Sequence, residues 1–351
     1  MLGGDVLGKM GLGIIGCGWA AKNLHMASYR NLFNLKACCC KTKSNVEKFK
    51  EEYGFQRAYT NYMDLLEDPE IDIVAICTPA STRLEIIEPA AKLGKHIFTE
   101  KPLAWEYEEA LKIVEICEKY KVKLAVADQY RFFPHIQAAA KIIKNGLLGE
   151  PFVGLLESII YFDFPPYPEQ RRGFVIEQVT HYFDIVRCIL GKEAVEVYAK
   201  MGKSPSKVKR GEIREFWATI TVKFEGDCVV QFFNSWDCWG FEVDKESPEG
   251  KMHLECEKGT LFINKNEETP LTIYSKDMGG WFIPEVTPKL RRENLESYGT
   301  GESMKKFIEC IEKDCEHPVS GKEYLKTLAI AFAAYKSAEE NKPIKLSDLK
   351  A

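Results

Sequence analysis

Residues 10–29 read MGLGIIGCGWAAKNLHMASY, and this stretch decides the fold. Leu12, Ile14 and Ile15 form an apolar run that ends at Gly16-Cys17-Gly18-Trp19-Ala20-Ala21, and a helical pattern follows. This is G-x-G-x-x-A between a strand and a helix, the context in which the glycine pattern signifies a dinucleotide-binding turn. Gly16 permits the tight turn, Gly18 lets the backbone approach a pyrophosphate because it lacks a Cβ, and Ala21 lets the helix pack close to the strand. The helix start near Trp19 offers unpaired N–H groups and the positive end of a helix dipole. Gly16, Gly18, Trp19, Ala20 and Ala21 are therefore expected to hold a nucleotide cofactor.

Working outward, short apolar runs at 12–15, 35–40, 57–59, 73–76, 96–99 and 124–127 alternate with helical patterns at 20–29, 45–53, 83–93 and 106–120. Largely apolar strands separated by helices imply a parallel sheet covered on both faces. Right-handed crossovers then give a doubly wound domain with ligands at the carboxyl ends of its strands. Such folds commonly place an acid about 20 residues past the glycines, to hold the ribose hydroxyls. Here that region is Ala37-Cys38-Cys39-Cys40-Lys41-Thr42-Lys43-Ser44, with no acid before Glu47. An uncharged strand end followed by Lys41, Thr42 and Lys43 suits a 2′-phosphate, so NADP is favoured over NAD. The fourth run ends at Thr78-Pro79, where proline stops the strand over the cofactor edge. The fifth ends at Thr99-Glu100-Lys101-Pro102, a charged pair that makes a poor core element and lies on the ligand edge.

Past a helix at 134–145 the pattern changes. Strand-like runs at 153–161, 195–200, 215–224, 228–235, 251–255 and 260–263 follow in hairpin-like order, with turns at 204–211, 225–227, 247–250 and 265–270. Helices at 302–314 and 322–341 close the chain. The expectation is an α/β protein: a Rossmann dinucleotide-binding domain over 1–128, then an α+β domain with a large, mostly antiparallel open sheet over 129–351 for substrate binding and association. Within the second region, 173–184 is helical in pattern, and Glu177 and His181, four apart, share one face.

Taken in order, GIIGCGWAA, CTPAST, TEKPLA and DQYRFFP resemble the glucose–fructose oxidoreductase / inositol dehydrogenase / MocA family over nearly the whole chain. The resemblance implies that Lys101, the lysine of EKP, is catalytic, and that His181 is the general acid/base. Glu177 stands where the family has aspartate. Thr78, Pro79, Glu100, Lys101 and Gln129 join the cofactor-binding set. Ala80 and Arg83 depart from the asparagine and histidine that the family often carries there, which leaves backbone contacts at Thr78 and Pro79. Lys101 and His181 are expected to meet over a bound nicotinamide.

The implied activity is hydride transfer between NAD(P) and a hydroxyl or keto carbon of a sugar, sugar derivative or cyclitol. The alternatives are an NAD-dependent hydrolase of the same fold and a non-catalytic dinucleotide-binding sensor. Phe162, Phe164, Tyr167 and Trp236 are candidates for an aromatic wall against a sugar face, and Arg171 and Arg172 for an acidic substrate group. His25, His96, His135, His253 and His317 read as packing or surface residues.

A net charge of -4 gives no sign of a nucleic-acid or membrane partner. No apolar run approaches the roughly 18 residues of a membrane span. Residues 1–8 lack the basic start and apolar core of a signal peptide. Of the 12 cysteines, Cys38, Cys39 and Cys40 lie in a probable strand, Cys17, Cys77, Cys117 and Cys188 sit in apolar patterns and the Cys310/Cys315 pair is isolated; with no C-x-x-C this reads as buried reduced thiols in a cytoplasmic protein with no metal. A homodimer or homotetramer is expected from the open sheet face.

Overall fold

Six of the apolar runs become β1 (Gly11–Ile15), β2 (Asn34–Cys39), β3 (Arg57–Tyr59), β4 (Ile73–Ile76), β5 (His96–Glu100) and β6 (Leu124–Ala127). In the computed structural model, which describes residues 10–29, 33–159, 172–205, 215–237, 250–264 and 268–349, they form one six-stranded sheet in the order β3-β2-β1-β4-β5-β6. All pairs are parallel. The order reverses between β1 and β4, so the ligand crevice of such a sheet lies beside the glycine turn. β1, β4 and β6 are buried throughout, the pattern of strands covered on both faces.

The helices are α1 (19–29), α2 (Lys43–Tyr53), α3 (Tyr62–Leu66), α4 (Arg83–Lys92) and α5 (Tyr107–Lys119). α3 is not anticipated by the sequence. It is a short turn capped by Asn61, whose side chain accepts from the Met63 N–H at 3.0 Å, and it shows too little length for a periodicity. The first compact unit comprises Met1–Gln129 and Glu296–Leu325. Residues expected in the second region therefore enter the first. Met304, Phe307 and Ile308 of α8 (Leu295–Glu312) share one buried cluster with Leu12, Ile14, Ala21 and Phe98. The Val126 N–H donates to the Val319 carbonyl at 2.9 Å.

The second unit comprises Tyr130–Leu295 and Lys326–Ala351. Its strands are β7 (Pro151–Ile159), β8 (Ala194–Gly202), β9 (Trp217–Phe224), β10 (Val229–Ser235), β11 (Lys251–Cys256), β12 (Gly259–Ile263), β13 (Leu271–Ser275), β14 (Gly280–Phe282) and β15 (Ile344–Lys345). They form a nine-stranded sheet in the order β14-β13-β12-β11-β7-β10-β9-β8-β15. Every pair is antiparallel except β7 with β10. β13, β14 and β15 extend the sheet beyond the sequence expectation. β14 and β15 are too short to show an alternation, and β13 follows a polar turn that hides its start.

One face is covered by α7 (174–190), where Phe183 meets Phe232 edge-on at 4.9 Å. The other face leaves Leu155, Tyr198, Trp217, Phe233, Tyr274 and Trp281 exposed. α6 (Pro134–Lys144) and α9 (Gly321–Glu340) complete the helices used below. Among the described residues all cysteines are free, and no helix is long and apolar enough to cross a membrane.

Candidate active site

In the first unit the two glycines of the turn meet different demands. Gly16 has φ +100°, and a Cβ there would lie 2.9 Å from the Cys77 carbonyl group. Its N–H donates to the Cys39 carbonyl at 2.8 Å, stitching the turn to β2. Gly18 has nothing within 4 Å of an added Cβ: its missing side chain leaves open space. Ala21 is buried against the sheet and Trp19 is 67% exposed. The Ala21–Met26 turns of α1 are π-helical, a rare geometry that recurs at functional sites.

Beside Gly18 lies a cavity of about 380 Å³ lined by Cys17, Gly18, Lys22, Cys40, Lys41, Thr42, Asn45 and Lys48. Its charges are all cationic. Lys41 and Thr42 line it as expected, whereas Lys43 does not. The first turn of α2 contains no acid, and the Thr42 side chain makes no capping bond. A helix start with its dipole uncompensated, flanked by lysines, favours an anion. An open space at Gly18 and a cationic cavity next to it fit the pyrophosphate and adenosine end of a dinucleotide.

The carboxyl ends of β4 and β5 are joined by Arg83. Its buried Nη2 donates to the carbonyls of Thr78 and Lys101, both at 3.2 Å. Thr82 Oγ1 donates to Thr78 Oγ1 at 2.8 Å. Glu100 turns inward: its Oε1 lies 2.7 Å from His25 Nε2, and His25 Nδ1 lies 3.0 Å from Tyr29 Oη. His25 is fully buried. Burial opposes its charge, but the Cys77 sulfur and the Glu100 carboxylate carry its pKa up to about 10. Burial likewise opposes ionisation of Glu100, and the His25 bond outweighs it, with a net downward shift. The pair is thus ionic, which gives His25 more than the packing role expected from sequence. Glu100 spends at least one oxygen on this interior bond. Gln129 is buried and its Oε1 has no hydrogen-bond partner.

In the second unit the sequence DQYRFFP and the histidine helix come together. The His181 ring stacks on Tyr130 with centroids 4.0 Å apart and planes 16° apart. Gln178 Nε2 donates to both Tyr130 Oη and Tyr182 Oη at 3.2 Å, and Tyr182 Oη donates to Ser158 Oγ at 2.7 Å. Arg131 grips Asp184 bidentately through one edge of its guanidinium, Nε to Oδ2 at 2.6 Å and Nη2 to Oδ1 at 2.5 Å. His181 is 2% exposed. Glu177 lies in the π-helical segment Val175–Val179, one turn before His181.

The start of α7 is capped from a distance. Glu215 accepts from the Gly173 N–H at 2.8 Å, the Val175 N–H at 3.3 Å and Tyr335 Oη at 2.5 Å. Tyr335 Oη accepts in turn from the Ile176 N–H at 3.3 Å. Burial pushes Glu215 up, against the pull of these donors. Arg172 lies over the rings of Tyr335 at 4.6 Å and Phe332 at 5.0 Å, a cation–π seat within the unit. Trp236 packs on Phe174 at 5.4 Å. Phe162, Phe164, Tyr167 and Arg171 lie outside the described residues, as does the basic turn 207–211.

Tyr130, Arg131, Gln178, Asp184 and Glu215 were not singled out from the sequence. One signal was present: Asp184 interrupts an apolar helix face, and a buried acid requires a partner. Lys101 belongs to the first unit and His181 to the second.

Two family models match the chain: "Oxidoreductase family, NAD-binding Rossmann fold" over residues 10–128 and "Oxidoreductase family, C-terminal alpha/beta domain" over residues 140–346. The chain is similar to myo-inositol 2-dehydrogenase of Thermotoga maritima, at 26% identity over 98% of this chain and 99% of that protein. It is similar to D-apiose dehydrogenase of Paraburkholderia graminis, at 25% identity over 96% of this chain and 90% of that one. In fold it matches an oxidoreductase from Agrobacterium radiobacter solved with NAD+, L-tartaric acid and magnesium, with TM-score 0.86 and 23% identity over 97% of this chain and 100% of that chain. The glycine turn, the six-stranded parallel sheet, the nine-stranded sheet behind a histidine helix and both family matches lead to one conclusion: the chain belongs to the glucose–fructose oxidoreductase / inositol dehydrogenase / MocA family of oxidoreductases, with an NAD-binding Rossmann domain.

Proposed function

We propose that the chain is a dehydrogenase that interconverts a secondary hydroxyl and a ketone on a sugar, sugar derivative or cyclitol, and that it takes NADP in preference to NAD. The observation that carries the substrate side is the histidine helix: an imidazole stacked on a tyrosine, with a carboxylate one turn before it and a buried arginine–aspartate pair tying the next turn of the helix to the residue after that tyrosine. Two of the relatives named above act on an inositol and on apiose, which supports a polyhydroxylated substrate.

Bound in the first unit, the nicotinamide dinucleotide supplies the hydride chemistry. The chain does the rest. Gly16, Gly18 and the start of α1 would hold the pyrophosphate, Thr78 and Pro79 would contribute backbone contacts, and Gln129 has an acceptor left for the nicotinamide amide. Lys101 stabilises negative charge developing on the substrate oxygen. His181 takes or returns the hydroxyl proton at its ring nitrogen. Glu177 accepts a hydrogen bond from a neighbouring substrate hydroxyl or orients His181. Arg83 is a positioning residue for the Lys101 backbone.

The preference for NADP rests on the cationic cavity beside Gly18, where Lys22, Lys41 and Lys48 stand and no acid lines the wall. Absence of disulfides among the described cysteines supports a reducing, cytoplasmic location. The exposed aromatic face of the nine-stranded sheet supports association into a homo-oligomer.

Absorbance of reduced nicotinamide, followed with NADP and NAD across polyols and sugars, tests the assignment. Turnover of at least one such alcohol is expected; tight cofactor binding without turnover of any would sink it. Lys41→Ala with Lys48→Ala should weaken NADP about tenfold more than NAD, the loss expected for charge-assisted bonds to one phosphate. Equal weakening of both cofactors would remove the 2′-phosphate preference.

A further inference from the structure

Asn234 lies on β10, inside the nine-stranded sheet, and is 1% exposed. Neither its Nδ2 nor its Oδ1 has a hydrogen-bond partner. Buried amides are nearly always satisfied, because leaving both groups unpaired after desolvation destabilises the fold. An apolar side chain at this position would be cheaper for folding alone.

Its surroundings connect it to the histidine helix. Phe232, two residues earlier, meets Phe183 of α7, and Trp236, two residues later, meets Phe174 at the start of α7. The Trp236 N–H continues the ladder to the Phe216 carbonyl at 2.8 Å, so the alternation of faces holds through this point. Asn234 therefore leaves the sheet on its α7-covered face, between those two contacts. Its register partner on β7 is Ser158, the acceptor of the Tyr182 hydroxyl, and its partner on β9 is Ala218, which has no polar side chain.

We propose that Asn234 is a specificity-determining contact of the substrate site, taking hydroxyl groups of a neutral polyol by donating from Nδ2 and accepting at Oδ1. This rests on the dehydrogenase assignment above. The amide carries no charge and offers one donor group and one acceptor. Adjacent ring hydroxyls, each both donor and acceptor, satisfy both ends. A substrate carboxylate would satisfy only Nδ2 and leave Oδ1 buried and unpaired. The site thus selects against sugar acids and for uncharged sugars and cyclitols.

Asn234→Leu keeps the volume and removes the amide; Asn234→Ser is a milder second variant should leucine not fold. Both are compared with the full-length wild type, with cofactor bound, on myo-inositol, on D-glucose and on their monodeoxy analogues. Loss of the contact should lower kcat/KM by about 10- to 100-fold, mostly through KM. Cofactor affinity should stay unchanged, and the Tm of Asn234→Leu should stay level or rise. At one ring position the deoxy analogue should lose its penalty in the variant, which a merely structural amide would not produce. Unchanged kcat/KM in both variants across the panel, or equal deoxy penalties in variant and wild type, overturns the proposal.

If the wild type turns over none of the panel, the dehydrogenase assignment fails separately, and thermal shift decides the contact. Myo-inositol or D-glucose raising the Tm of wild type but not of Asn234→Leu supports it. No shift in wild type, or the same shift in both, overturns it.

Discussion

The candidate site elements of the two units are built by different means. In the first, the elements that matter are backbone: a glycine with φ +100°, a second glycine facing open space, a helix start and the strand ends tied by Arg83. In the second they are side chains: an imidazole stacked on Tyr130, a carboxylate one turn before it, and Ser158 of β7 bonded to the Tyr182 hydroxyl of the same helix. Both units place a π-helical segment next to those elements, Ala21–Met26 in one and Val175–Val179 in the other. The difference teaches where specificity can vary. A backbone cradle recognises what all dinucleotides share and tolerates little change. A side-chain site can be rewritten residue by residue without altering the fold.

The sharpest way to break this comparison is through Lys101 and His181, the two residues proposed to act on the substrate. Lys101→Ala and His181→Ala should each lower kcat by about 10²- to 10⁴-fold, the usual weight of a positioned acid/base or charge-stabilising group. Cofactor affinity measured by fluorescence titration should move by less than about threefold, well under the 1.4 kcal/mol that a tenfold change represents. A near wild-type rate for either variant removes that residue from the mechanism.

The two glycines should then separate binding from folding. Gly18→Val should weaken the dinucleotide by about tenfold or more while leaving the Tm near wild type, because the added atoms meet no protein at Cβ. Gly16→Ala should lower stability by about 1–3 kcal/mol in urea unfolding, since it forces a non-glycine residue into positive φ against the Cys77 backbone. The same outcome for both would show that the turn does not divide these tasks.

The smallest effect concerns His25. Its pKa is raised from 6.5 to about 10 in the folded protein. Its contribution is therefore complete below about pH 6.5 and is lost as pH rises through about 10. Urea midpoints should fall between pH 7 and pH 10 in the wild type, and the fall should be shallower in His25→Gln. Parallel curves for the two proteins would show that the buried pair with Glu100 is not the group titrating.

Legibility followed distance along the chain. The glycine turn, the run of β and α elements to residue 127 and the placing of Glu177 and His181 a turn apart were readable because each depends on neighbours within a few residues. The partners of those residues were not. Tyr130 reaches His181 across 51 positions, Arg131 reaches Asp184 across 53, and Glu215 caps a helix that begins about 40 residues earlier. Their chemistry is visible in the sequence, but no local pattern says which buried acid meets which base.

The sequence by itself determined the doubly wound first unit and the mostly antiparallel character of the second. Periodicity and turn residues are local quantities, and these features follow from them. Only the tertiary structure decided that Met304, Phe307 and Ile308 complete the first unit's core, that Glu100 pairs with His25 rather than remaining a surface charge, and that Asn234 is buried with both polar atoms unpaired. Each of those depends on which surfaces exclude water together, a property of the folded chain and not of any window within it.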